Sequence, residues 1–214
     1  SYRQIKNSGI KNISLDLIIG SPSQTINSLD KFIQFSNEYN VPHISAYLLK
    51  IEEGTEYFEK QSILNFLSED ICSDYYLYLS NSLKTNGYNH YEISNFAREG
   101  MESRHNVKYW NLEDYLGIGP GSHSLINGKR FYYPEDIKRF VMQGDTELEG
   151  LGGTIEEYIM LRLRLSAGLI NNEFKIRFGK DIPQCYFERA KKFEKIGLVE
   201  MNKNKITLTT KGFL

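Results

Sequence analysis

The chain has 214 residues, 40% of them hydrophobic and 13% aromatic, with a formal net charge of −1. That length supports one large domain, or a large and a small one, with ample residues for a buried core. Near-neutrality leaves no global field to draw the chain to nucleic acid or acidic lipid, and apolar runs such as "LDLIIG" are too short to span a bilayer.

The opening "SYRQIKNSGI" is polar, starts without Met and shows no signal-peptide pattern, which predicts a cut boundary rather than a natural beginning. "ISLDLIIG" (Ile13 to Gly20) is β-rich and nearly all apolar, as expected of a central parallel strand covered on both faces. After "SPSQT", the stretch "NSLDKFIQFSNEY" carries Leu29, Phe32, Ile33 and Ser36 at helical spacing, with Asn27 as the expected N-cap. "VPHISAYLLKI" reads as the next buried strand, and strand, helix and strand make a βαβ unit with a parallel sheet. Ser68 caps a second helix striped by Ile71, Tyr75, Leu79 and Leu83 and closed by Gly87. "YNHYEISNFA" alternates like one strand, "DYLGIGPGSHSLI" like another interrupted by glycines, and "KRFYYP" is a short strand before the helix "EDIKRFVMQG".

The acid- and glycine-rich stretch at 146–153 reads as a linker, dividing a domain at 1–145 from one at 154–214. The second domain opens with the capping-box pair Thr154 and Glu157. Two further helices follow, one ending at Gly179 and one running from Asp181 to Gly197, and "LVEMNKNKITLT" finishes as a hairpin. Three helices and a two-stranded wing form a winged-helix pattern. Its last helix mixes Arg189, Lys191, Lys192 and Lys195 with Glu188 and Glu194, which reads as a solvated face more than as a nucleic-acid surface.

Four features carry possible chemistry. Asp16 stands alone in an apolar run, so it needs either a backbone or basic partner in the core or a ligand at a strand end. "SRHNVKYW" clusters Arg104, His105, Asn106, Lys108, Tyr109 and the sole tryptophan in what reads as a loop; His105 there is a hydrogen-bonded loop residue or a metal ligand. "GIGPGSHS" lacks the dinucleotide spacing, leaving close backbone approach to a ligand or tight strand packing, with phosphate binding a weaker reading. Cys72 and Cys185 form no CxxC or Cys/His cluster; both read as small buried fillers in a reducing cytoplasm, and neither builds a zinc or iron–sulfur site.

Taken together, "LDLIIGSPSQT", "HISAYLLKIEEGT", "YEISNFAREGMESRHNVKYW" and "DYLGIGPGSHS" resemble, in order and spacing, the radical S-adenosylmethionine proteins related to oxygen-independent coproporphyrinogen III oxidase. "HNVKYW" is similar to the HNxxYW signature of the HemW branch, the haem chaperones, and residues 154–213 resemble the family's small C-terminal domain. The resemblance implies an α/β fold: the second half of a partial (β/α) barrel with parallel strands, then a small winged-helix-like α+β domain. It implies haem binding and delivery to acceptor proteins, with S-adenosylmethionine and a [4Fe–4S] cluster in the parent protein. It also leaves open the oxidase activity itself, the radical decarboxylation of two propionates.

By the same resemblance, Asp16, Lys50 and the backbone of His123 contact S-adenosylmethionine, and His105 is the haem iron ligand. The family's CxxxCxxC motif is missing from these residues, so this stretch alone is expected to be catalytically inactive. Ser21 and Ser23 depart from the family around Pro22, where an apolar residue and a glycine are usual.

Overall fold

The computed structural model describes residues 2–214 and shows a mixed α/β fold with open sheets. The chain forms two compact units, one reaching to Glu102 and including Thr209–Leu214, the other Ser103–Leu208.

In the first unit, α1 (Tyr2–Asn7) precedes β1 (Ser14–Ile19), α2 (Ile26–Glu38) and β2 (His43–Leu48). The short α3 (Glu56–Glu59) and the long α4 (Glu69–Thr85) follow, then β3 (Asn89–Glu92) and β4 (Asn95–Ala97). β1 and β2 run parallel in register, Asp16 opposite Ser45, so the expected βαβ unit is present. The remainder of the sheet, in order β1-β2-β4-β3, is antiparallel. "YNHYEISNFA" is therefore two strands and not one, because Ile93 and Ser94 turn the chain between the paired Glu92 and Asn95.

One sheet face is apolar. Ile19, Ile44, Ala46 and Phe96 are buried, as are Leu29 and Ile33 of α2 and Tyr76, Leu79 and Leu83 of α4, the helix that lies on β1 and β3. Such a layer of sheet under helices is what hydrophobic burial favours. The N-cap of α2 is Thr25, in a reciprocal box with Ser28, two residues before the expected Asn27. Thr25 gains the position because its backbone is extended and its hydroxyl meets the Ser28 N–H. Ser68 caps α4, and Gly87 follows its end with φ +82°, as expected.

The second unit contains α5 (Arg104–Trp110), the antiparallel sheet β5 (His123–Ile126), β6 (Lys129–Tyr132) and β7 (Glu147–Leu151), and α6 (Ile137–Met142) between β6 and β7. Then come α7 (Ile155–Arg162), β8 (Leu169–Ile170), α8 (Asn171–Phe178), α9 (Gln184–Glu194) and the hairpin β9 (Val199–Asn202) with β10 (Lys205–Leu208). These last elements give the winged arrangement, with β8 added to β10. Residues read as a linker at 146–153 contain β7, which pairs with β6 around a register shift. The glycines there do not free the chain, since a partner strand satisfies its backbone. Cys185 is exposed and Cys72 half-buried, so neither is a core filler; Cys185 is the second residue of α9, ahead of the buried Ala190.

The core of this unit joins Leu125, Tyr158, Ile159, Leu169, Phe174 and Ile182, with Phe174 fully buried. Thr154 accepts a hydrogen bond from the Glu157 N–H at 3.1 Å, the cap legible in the sequence. Glu157 does not return the bond but turns to Arg130 and to the Gly153 N–H. Thr154→Ala is expected to cost this unit about 1 kcal/mol, seen as a lower urea midpoint in the fluorescence of Trp110; an unchanged midpoint would show the cap to be replaceable by water.

Candidate functional site

The "GSPSQT" turn at the end of β1 is built from its own side chains. Gly20 has φ +99°, and an added Cβ would lie 2.9 Å from Cys72 Sγ, so only glycine fits. Gln24 staples the turn, accepting from the Gly20 N–H at 2.8 Å and donating to the Ile18 carbonyl at 3.0 Å. Ser23, where the resemblance implies glycine, sits in the left-handed region with φ +62°.

Asp16 is exposed rather than buried. β1 forms one edge of its sheet, and strand alternation sends Ser14, Asp16 and Ile18 to the face away from the helices. The apolar neighbours that suggested a fully covered strand belong to the opposite face. In register across that polar face lie His43, Ser45 and Asn95, all buried. His43 is held at both nitrogens, by Ser14 Oγ at 2.7 Å and Tyr91 Oη at 2.8 Å. Burial pushes its pKa down, against the pull of the Asp16 and Glu102 charges.

Lys50 lies just past β2 and lines a cleft of about 500 Å³ with Gly20, Leu48, Phe66, Cys72 and Leu214. Its ammonium is exposed and pairs with Glu52 at 2.6 Å. That hydrogen bond and charge raise the lysine pKa. Asp16 is not among the residues lining this cleft. The cleft sits where strand ends in parallel units commonly present ligands.

"SRHNVKYW", read as a loop, is the helix α5. Ser103 caps it by accepting from the Asn106 N–H. The helix brings His105 and Tyr109 onto one face, four residues apart. His105 is exposed, and its Nε2 lies 3.0 Å from Tyr109 Oη with the rings edge to face. Behind them, Arg164 stacks on Trp110 at 4.4 Å. The buried Arg162 donates to Asn111, the C-cap of α5, as well as to Glu173 and the Gly168 carbonyl. The His105–Tyr109 pair was absent from the sequence reading, although the i, i+4 spacing would have shown it once the stretch was recognised as helical.

"GIGPGSHS" folds back on itself. Tyr115 bridges Leu125, and Ser124 Oγ accepts from the Gly117 N–H at 3.0 Å. A Cβ on Gly117 would meet the His123 carbonyl at 2.3 Å, so this glycine serves close packing within the loop. The His123 ring is exposed, stacked on Tyr132 and bonded to Glu149 at 3.0 Å. Of the four expected site residues, Asp16 and Lys50 belong to the first unit, and His105 and His123 to the second.

A [4Fe–4S] cluster is generally held by four cysteine thiolates, and by three in the family this sequence resembles. The two cysteines are in different units, and no group of three His, Cys, Asp or Glu among the described residues could hold a metal ion. This chain's residues do not fit the cluster. An exposed imidazole with a tyrosine at its edge does fit one axial position on a flat iron macrocycle. No helix among the described residues is long and apolar enough to cross a membrane.

The family model described as the HemN C-terminal domain matches residues 154–214. The heme chaperone HemW of Lactococcus lactis subsp. lactis (strain IL1403) is 32% identical over 221 residues, covering 100% of this chain and 58% of that protein. The HemW of Bacillus subtilis (strain 168) is 30% identical over 224 residues, covering 100% and 59%. The chain therefore spans more than half, but under two thirds, of the length of these relatives. Among solved structures, coproporphyrinogen III oxidase (HemN) from Escherichia coli, a radical SAM enzyme, aligns with a TM-score of 0.71 at 21% identity, over 99% of this chain and 54% of that one. At that identity the likeness is one of fold.

Proposed function

We propose that this chain is part of a HemW-type radical S-adenosylmethionine protein, one that binds haem and delivers it to acceptor proteins. The observation that carries this reading is His105, an exposed imidazole on α5 within "HNVKYW". Its ring has a tyrosine at one side, and the helix is anchored at its C-cap by Arg162. A neutral imidazole at the surface of a rigid element is a suitable axial ligand, and exposure leaves room for a macrocycle to arrive and depart.

Asp16 and Lys50, both in the first unit, are the proposed contacts of S-adenosylmethionine. The exposure of Asp16 supports that reading, while Lys50, also exposed, would exchange its Glu52 partner for the ligand. When bound, cofactor and cluster supply radical chemistry; the residues here would supply only positioning charges, because the thiolates are not among them.

The test is a haem titration followed by Soret absorbance in the chain and in its His105→Ala variant. Saturable binding with a defined Soret shift is expected, weakened by about tenfold or more in the variant, as loss of an axial ligand requires. Restored binding of His105→Gly by free imidazole would assign the ligand directly. Equal binding by wild type and His105→Ala would remove His105 from the site and turn attention to the oxidase reading, which calls for porphyrinogen turnover.

A further inference from the structure

The hydrogen bond between His105 and Tyr109 places a competitor on the nitrogen that iron would need. Imidazole Nδ1 is flanked by the Cβ substituent, which would press against the plane of any macrocycle whose iron it bound. Nε2 is the unhindered nitrogen. Here Nε2 lies 3.0 Å from the Tyr109 hydroxyl, and in either tautomer that nitrogen is engaged.

Tyr109 is not a loosely placed surface group. Its ring packs edge to face on Tyr115 at 4.6 Å and 79°. The Tyr115 hydroxyl accepts from Arg130 Nη1 at 3.0 Å. Arg130 pairs with Glu157, whose other oxygen accepts from the Gly153 N–H at 2.7 Å. A continuous set of contacts thus runs from α5 through β6 to the first turn of α7, and it holds the phenol in place against the imidazole.

Resting on the reading of His105 as haem ligand, we infer that Tyr109 is a latch, which lowers the affinity of His105 for iron and reclaims Nε2 as haem leaves. With the imidazole proton on Nδ1, the phenol donates to the Nε2 lone pair, which iron and the phenol cannot share. Haem capture therefore breaks the bond between Tyr109 and His105, and the phenol keeps its proton and turns to water. Haem release restores the bond, so the imidazole is never left without a partner. This suits a protein that must hold its cargo and then give it up: the latch shortens the residence time without altering the ligand to iron.

The experiment titrates ferric protoporphyrin IX into the wild-type chain, Tyr109→Phe and His105→Ala, and times haem loss to an apomyoglobin scavenger. Phenylalanine keeps the ring contact with Tyr115 and removes only the hydroxyl. Tyr109→Phe is expected to bind roughly 2- to 10-fold more tightly, the worth of one exposed hydrogen bond, and to lose haem more slowly by a similar factor, with its Soret position unchanged. Unchanged or weaker binding by Tyr109→Phe would overturn the latch. Loss of a phenolate-to-iron charge-transfer band in that variant would make Tyr109 an iron ligand, and would overturn it equally. If His105→Ala binds like wild type, the underlying haem reading fails and the latch with it. If His105→Ala loses haem while Tyr109→Phe is no tighter, the latch alone fails.

Discussion

Replacing Arg162 by alanine is expected to destabilise the second unit by about 3 kcal/mol, the lower end of the range for removing one partner of a buried charged network. The side chain is only 7% exposed, and its guanidinium is divided among three acceptors on three segments. Nε donates to the Gly168 carbonyl, one terminal nitrogen to Asn111, and the other to Glu173 at 2.7 Å. Alanine would leave the buried Gly168 carbonyl and the half-buried Asn111 amide oxygen without their donor. Glu173 is better placed, being 45% exposed and able to take up water, which keeps the cost from rising further. Urea unfolding followed by the fluorescence of Trp110 measures it directly, since that tryptophan lies in α5 next to the Asn111 cap. A loss below about 1 kcal/mol would show that water substitutes for the guanidinium. Since Asn111 ends the helix that carries His105, the same variant is expected to weaken haem binding, whereas Arg162→Lys, which keeps the charge and one donor, should fall between.

Acidification should weaken the first unit through His90. This imidazole stacks on Phe96 at 4.1 Å, meets Phe213 edge-on, and hydrogen-bonds with Tyr76, Ser80 and the Ile93 carbonyl. Burial pushes its pKa down to about 4 from the usual 6.5, although the Ile93 and Glu92 backbones favour the charged form. The fold therefore holds His90 neutral while the unfolded chain protonates it normally. Between those two values the unfolded state binds the extra proton, so the contribution is intact above about pH 6.5 and is lost as pH falls toward 4. At pH 5 the loss is about 2 kcal/mol, and it approaches about 3 kcal/mol near pH 4. Amide hydrogen exchange in β2 and β4 at pH 7 and pH 5 reports on this unit, and His90→Gln supplies the comparison. The wild type should lose more protection than the variant between the two pH values; equal losses would show that His90 titrates normally in the fold.

Much of the architecture was legible locally. Thr154, Ser68 and Gly179 mark helix ends through hydrogen bonds or a left-handed turn with groups only a few residues away. The β9–β10 hairpin and the β1–α2–β2 unit follow from hydrophobic period and turn residues in the same way. The site was legible only as a set of residues. "HNVKYW" identified His105, but reading it as a loop hid the i, i+4 contact that places Tyr109 on the imidazole.

By itself, the sequence determined most of the helix ends, the β1–α2–β2 unit, the final hairpin and a resemblance to a family with its candidate ligands, because these depend on neighbours close along the chain and on the order of motifs. Tertiary structure alone decided which face of β1 is covered, and hence that Asp16 is exposed. It decided that 147–151 is a strand, because β6 offers it a partner. It likewise decided that Gly117 is packed against the His123 carbonyl. Each of these depends on pairing between segments separated along the chain, where burial and backbone hydrogen bonding are settled by what the fold brings alongside rather than by local composition.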